Sequence, residues 1–267
     1  MLFPARPLCF WISARRVWAL LFLLLGLAWP GRAGELTFTN YLAQGELAEQ
    51  RGDVAGALKF YTAADTLSIT NCAELCLLTR RYCDLMHLAT NRQDTQKILA
   101  ERALAAAQRA VMTDSNSATA HLCVAVGYVK NFPYADNATR VKWSKAIKSA
   151  CETAIALDPK QDVSYYLLGR WHVGVADMNI FVKGIVKIVY GGLPKASRAE
   201  AIGYFQKAIA LAPDRIIHHL ELAKVYAETG QEKLARAELE TCRNLQPRDR
   251  DDTEAKQEAL ALLADRK

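Results

Sequence analysis

Residues 216–249 read IIHHLELAKVYAETGQEKLARAELETCRNLQPRD. In a 34-residue frame opened at Ile216, the residues Leu222, Ala223, Tyr226, Gly230, Ala235, Leu239, Cys242 and Pro247 fall at positions 7, 8, 11, 15, 20, 24, 27 and 32. That spacing describes two helices folded back on each other. Small side chains at Ala223, Ala235 and Cys242 allow close approach where the helices cross, and Tyr226 and Leu239 fill the space between. Gly230 reverses the chain, and Pro247 closes the unit and starts the next helix.

The frame recurs in phase. Residues 38–71 supply Tyr41, Gly45, Gly52, Ala57, Tyr61 and Ala64. Residues 72–117 supply a degenerate copy through Leu75, Leu78, Tyr82, Ala103 and Ala110, with a long turn. Residues 118–161 supply Ala125, Tyr128, Ala154 and Pro159, with an enlarged turn from Lys130 to Val141. Residues 162–215 supply Tyr165, Leu168, Gly169, Ala201, Phe205, Ala208 and Pro213, interrupted by an insert of about 20 residues. An amphipathic tail, Asp251 to Leu263, caps the stack. A period of this length, carrying these residues, is that of a tetratricopeptide (TPR) unit. The expected fold is all-α, a TPR-like superhelix of about five helix pairs.

Composition agrees: 51% of the 267 residues are hydrophobic, with only 14 Gly and 8 Pro, which excludes a disordered or collagenous chain. The 34 basic and 28 acidic residues look mildly basic. However, Arg6, Arg15, Arg16 and Arg32 all precede the first acid, Glu35, and without them 30 basic residues face 28 acidic ones. Nucleic-acid binding thereby loses its main support. Those first 33 residues have the order of a secretory signal peptide: Arg15-Arg16, an apolar run from Val17 to Trp29, Pro30-Gly31, then Gly31-Arg32-Ala33 as a cleavage site. The expected arrangement is a signal peptide over 1–33 and a TPR-like domain over 34–267, exported to the periplasm or secreted. The alternative is an anchor formed by residues 17–29, which fall short of the roughly 20 residues that span a bilayer.

The interrupted unit carries a more particular pattern. Tyr166-Leu167-Leu168-Gly169-Arg170-Trp171 and Val175-Ala176 are followed by Tyr190-Gly191-Gly192-Leu193-Pro194, Glu200-Ala201, Phe205-Gln206-Lys207-Ala208 and Pro213. Over roughly residues 118–249 the chain resembles the regulator of microtubule dynamics family, TPR-containing proteins with bacterial relatives. The resemblance implies a helical adaptor fold and, in animals, association with microtubules, spindle poles and mitochondria.

Catalytic patterns are missing from the sequence. His87, His121, His172, His218 and His219 show no His-Glu-x-x-His or similar ligand spacing, and His172 and His219 fall at packing positions. Gly191-Gly192 has no downstream Gly-Lys-Ser/Thr, and there is no Gly-x-Ser-x-Gly elbow. The reading is non-enzymatic, with no cofactor and no metal. Of seven cysteines, Cys9 leaves with the signal. Cys151 and Cys242 occupy crossing positions as compact hydrophobes, and Cys72, Cys76 and Cys83 share one helix, which does not suggest a disulfide framework.

In a TPR superhelix the first helix of each unit lines the concave face. The corresponding residues are Leu42, Glu46 and Glu49; Leu122, Val126 and Val129; Tyr166, Arg170 and Val173; and Leu220 and Lys224. A groove acidic in front, apolar in the middle and basic behind suits a polypeptide partner whose carboxylate lies between Arg170 and Lys224. The insert Ile180–Tyr190 has two lysines four apart on an otherwise apolar, acid-free stretch. It reads as an extra helix packed on the superhelix, or as an element touching a membrane surface or closing over a partner. The functional expectation is an exported adaptor. A microtubule-associated adaptor and an enzyme-associated subunit are the alternatives.

Overall fold

The computed structural model describes residues 37–67 and 69–265, so the expected signal peptide and its cleavage site lie outside the described residues. Twelve α-helices account for most of the described chain, and no strand occurs among them. In order they are α1 (Phe38–Gln50), α2 (Val54–Asp65), α3 (Cys72–Leu88), α4 (Gln93–Thr113), α5 (Ala118–Asn131), α6 (Asn137–Leu157), α7 (Asp162–Ala176), α8 (Ile180–Tyr190), α9 (Arg198–Leu211), α10 (Ile216–Glu228), α11 (Glu232–Asn244) and α12 (Arg250–Ala264). A single 3-10 turn, Phe132–Tyr134, follows α5.

Five hairpins stack in sequence order: α1 with α2, α3 with α4, α5 with α6, α7 with α9, and α10 with α11. Local chemistry sets their limits. Asp53, Asn71, Asp136 and Asp249 each accept a backbone N–H from the first turn of the helix that follows, contacts worth about 1 kcal/mol apiece. Gly52 and Gly230 turn their hairpins at φ 73° and 75°, a left-handed conformation that glycine adopts without strain. At the crossings, Ala57, Ala223, Ala235 and Cys242 are buried, as the repeat requires. Gly169 lies directly under the Phe205 ring: a Cβ there would come within 2.6 Å of it.

Two expected long turns do not exist. The link between α3 and α4 is short, and α4 and α6 are each 21 residues long. The extra length of the second and third units is helical because α4 is alanine-rich and Asp136 starts α6 immediately after the 3-10 turn.

The insert is helical, but α8 is not packed down as an extra layer. Only Val186 is buried, while Phe181 is 78% and Ile188 86% exposed. Its few ties to the body include Lys145 Nζ on the Tyr190 carbonyl (3.1 Å) and Lys183 Nζ on the Ala176 carbonyl (2.8 Å). α12 packs against α10 and α11, closing the last hairpin as the tail pattern implies.

Candidate binding surfaces

Of the residues expected to line a groove, most are drawn into the seams between hairpins. Leu42, Leu122, Val126, Val129, Tyr166 and Leu220 are buried, and Val173 is half-buried. Glu46 is ion-paired with Arg81 of α3, and Glu49 accepts a 2.7 Å hydrogen bond from the Tyr61 hydroxyl. Burial raises the Glu49 carboxyl, opposed by that bond. Glu46 therefore ties the first hairpin to the second, and Glu49 braces the first hairpin internally, instead of standing open.

The basic end departs further from expectation. Arg170 and Lys224 do converge, but on carboxylates of their own chain. Arg170 Nε lies 3.6 Å from Glu221, and Nη1 donates to the Tyr166 hydroxyl at 3.1 Å. Lys224 Nζ reaches Glu221 at 2.8 Å and Glu258, on α12, at 3.0 Å. Burial would strip charge from Arg170, which is 7% exposed, but Tyr166, Glu221 and Glu258 more than offset this and hold the guanidinium protonated. The site expected for a partner's carboxylate is already filled. It is α12, and not the insert, that leans over these residues.

Between α7, α10 and α12 lies a cavity of about 220 Å³ lined by Arg170, Ile217, Leu220, Glu221, Asp251, Glu254, Ala255 and Glu258. Its lining combines three apolar residues and four acids with one arginine. Asp251 is 2% exposed, and neither carboxylate oxygen has a hydrogen-bond partner. Burial pushes its carboxyl up to about 8, against the field of buried Lys130 and with that of Asp249. Lys130 Nζ and both ring nitrogens of His87 are likewise buried without partners, and burial together with Lys130 and Arg250 pushes His87 down to about 2. Buried polar groups without partners are uncommon, and of these three Asp251 lines the cavity.

Sequence reading missed Glu221, Asp251, Glu254 and Glu258. The signal was present: 251, 254 and 258 are three and four apart and share one face of α12. What the spacing could not give was the helix they face.

The same repeat holds the Gly169-Arg170-Trp171 and Tyr190-Gly191-Gly192-Leu193-Pro194 elements. Trp171 is fully buried beside Arg170, and Gly191 and Gly192 end α8 at φ 71° and 81°, with Gly192 N–H donating to the Val186 carbonyl at 3.0 Å. Residues 39–267 match the family described as regulator of microtubule dynamics protein 1-3. The chain belongs to that family. Regulator of microtubule dynamics protein 1 of Bos taurus is 29% identical over 187 residues, covering 70% of this chain and 59% of the relative. Protein 2 of Rattus norvegicus is 29% identical over 161 residues, covering 59% of this chain and 38% of the relative. This regulator-family chain thus spans less than two thirds of the length of these relatives. A thermophilic TPR protein of Thermus thermophilus superposes on 84% of this chain and all of its own, with a TM-score of 0.57 at 18% identity. That likeness shows the TPR helical-repeat fold.

Proposed function

We propose that this protein is a non-enzymatic interaction adaptor, and that the cavity between α7, α10 and α12 holds a basic side chain of a partner polypeptide. The observation that carries the reading is the unpartnered Asp251 carboxyl in a cavity lined by Glu221, Glu254 and Glu258. Glu221, Glu254 and Glu258 are paired with Arg170, Arg250 and Lys224, so Asp251 is the acid of this cavity left to satisfy. The aliphatic stem of a lysine or arginine suits the apolar part of the lining, Ile217, Leu220 and Ala255.

The test is a fluorescent peptide with one central arginine between leucines, compared with its norleucine counterpart. The arginine peptide should bind at least about tenfold more tightly. Its affinity should rise from pH 6 to pH 9, because a proton competes for Asp251 below about 8. Asp251→Asn should abolish that rise. Equal binding of the two peptides overturns the reading. The free protein should respond oppositely. A carboxyl raised on folding stabilises the protonated state, so stability present below about pH 4 declines toward pH 8, and Asp251→Asn flattens the slope.

A second reading rests on α8. Ile180, Phe181, Val182, Ile185, Ile188 and Val189 are exposed on one short helix with Lys183 and Lys187 and no acid. Such a helix suits peripheral contact with an anionic membrane surface. Among the described residues, no helix is long and apolar enough to cross a membrane. Vesicles of phosphatidylcholine and phosphatidylserine should retain the protein, and Ile185→Glu with Ile188→Glu should release it without altering its thermal midpoint. Retention of the double variant would exclude α8 as the contact.

Both readings are proposed for an exported chain, supported by the order of residues 1–33. N-terminal sequencing of the native protein should return Gly34. A chain retaining Met1 favours the anchor reading and a body in the cytosol. In that case tubulin co-pelleting becomes the test of the microtubule-type adaptor suggested by the relatives' names.

A further inference from the structure

Three of the six described cysteines sit together. Cys72 and Cys76 are one turn apart on α3, and Cys123 stands on α5, the neighbouring first helix. Cys123 Sγ lies 4.0 Å from the Cys76 carbonyl, so Cys76 stands between Cys123, across the seam, and Cys72, one turn earlier on its own helix. Cys76 and Cys123 belong to a small apolar cluster of their own with Leu75, Ala107, Ala110 and Ala120, and Cys72 packs at its edge. Access falls along the row: Cys72 is partly exposed, Cys76 5% exposed and Cys123 fully buried.

We propose that Cys72, Cys76 and Cys123 form a thiol relay that carries oxidation from the surface to a buried bridge between α3 and α5. The oxidant is a low-molecular-weight disulfide. Cys72 thiolate attacks one of its sulfurs, forming a mixed disulfide and releasing one small thiolate. Cys76 thiolate then attacks the Cys72 sulfur, forming the Cys72–Cys76 bond and releasing the second. Cys123, after losing its proton, attacks the Cys76 sulfur, and Cys72 departs as a thiolate and is reprotonated. Cys76 and Cys123 are oxidised by two electrons, and the external disulfide is reduced to two thiols.

The central position of Cys76 is what the last exchange needs, since the attacked sulfur must have attacker and leaving group on either side. Interaction with Cys123 lowers the Cys76 thiol against burial, while the same interaction and burial raise Cys123, and burial raises Cys72. Cys83, Cys151 and Cys242 stand apart from the row, each buried in the main core. The final bridge would fasten the second hairpin to the third.

The experiment uses the whole protein with oxidised glutathione, followed by iodoacetamide and tryptic mapping without reductant. Cys72 and Cys76 share the peptide 60–80, and Cys123 lies in 110–130. The expected product is these two peptides cross-linked, with the alkyl group on Cys72. Cys72→Ser should slow cross-linking at least about tenfold, because the buried pair then meets the oxidant directly. Cys72 is partly exposed, so this variant should keep its helical circular dichroism. Three outcomes overturn the proposal: a persistent mixed disulfide on Cys72, a product that stops at Cys72–Cys76, or an unchanged rate in Cys72→Ser.

Discussion

Replacing Trp171 with alanine should cost about 3–5 kcal/mol, a large share of the stability of most domains. The indole is fully buried, and its Nε1 donates to both the carbonyl and the hydroxyl of Ser144, at 2.9 and 3.0 Å. Its ring stands edge-on to His172, with Lys148 Nζ 5.7 Å from the centroid. Truncation opens a void between the third and fourth hairpins and leaves a buried serine without its donor. Trp171→Phe isolates the second loss, since it keeps most of the volume. It should cost about 1–3 kcal/mol. Urea midpoints of the two variants measure both. If Trp171→Ala matched Trp171→Phe, the void would add nothing to the cost of the lost hydrogen bonds.

The second large effect is expected at Glu221. This carboxylate faces the buried guanidinium of Arg170 and the ammonium of Lys224. Glu221→Ala should destabilise the fold by about 3–5 kcal/mol, chiefly because Arg170 is left charged and insufficiently compensated. Adding Arg170→Met should return much of the loss, since a buried ion pair is often no better than an apolar pair of similar volume. A Glu221→Ala protein as stable as the parent would show that Glu258 alone suffices for both cations.

Much of the fold was legible because helix-pair packing writes itself into short-range spacing. Gly45 under Tyr61 and Gly169 under Phe205 are separated along the chain, yet each contact is fixed by its place in one repeating unit. The frame also showed where a unit was interrupted, and the insert is a helix. Turn lengths were less legible. Residues surplus to the frame can extend a helix as easily as a loop, and alanine in α4 chose the helix. The site was read least well. Position in the repeat brought Arg170 and Lys224 to one place, but it said nothing of α12, which lies outside the repeat. Glu258 and Asp251 reach the site from there, and their charges reverse what the cavity can hold.

The insert has a consequence for how this stack can change over time. The link between α7 and α9 runs from 177 to 197, whereas α10 and α11 are joined by residues 229–231 alone. Closing a loop of 21 residues instead of three costs only about 2 kcal/mol, because the entropy grows with the logarithm of length. The hairpin of α7 and α9 remains intact across that gap, held by contacts in which α8 has almost no share. α8 is thus an accessory that can be lengthened, recoloured in charge or deleted without renegotiating the repeat. Selection can act on the apolar helix and on the stack as two separate inheritances.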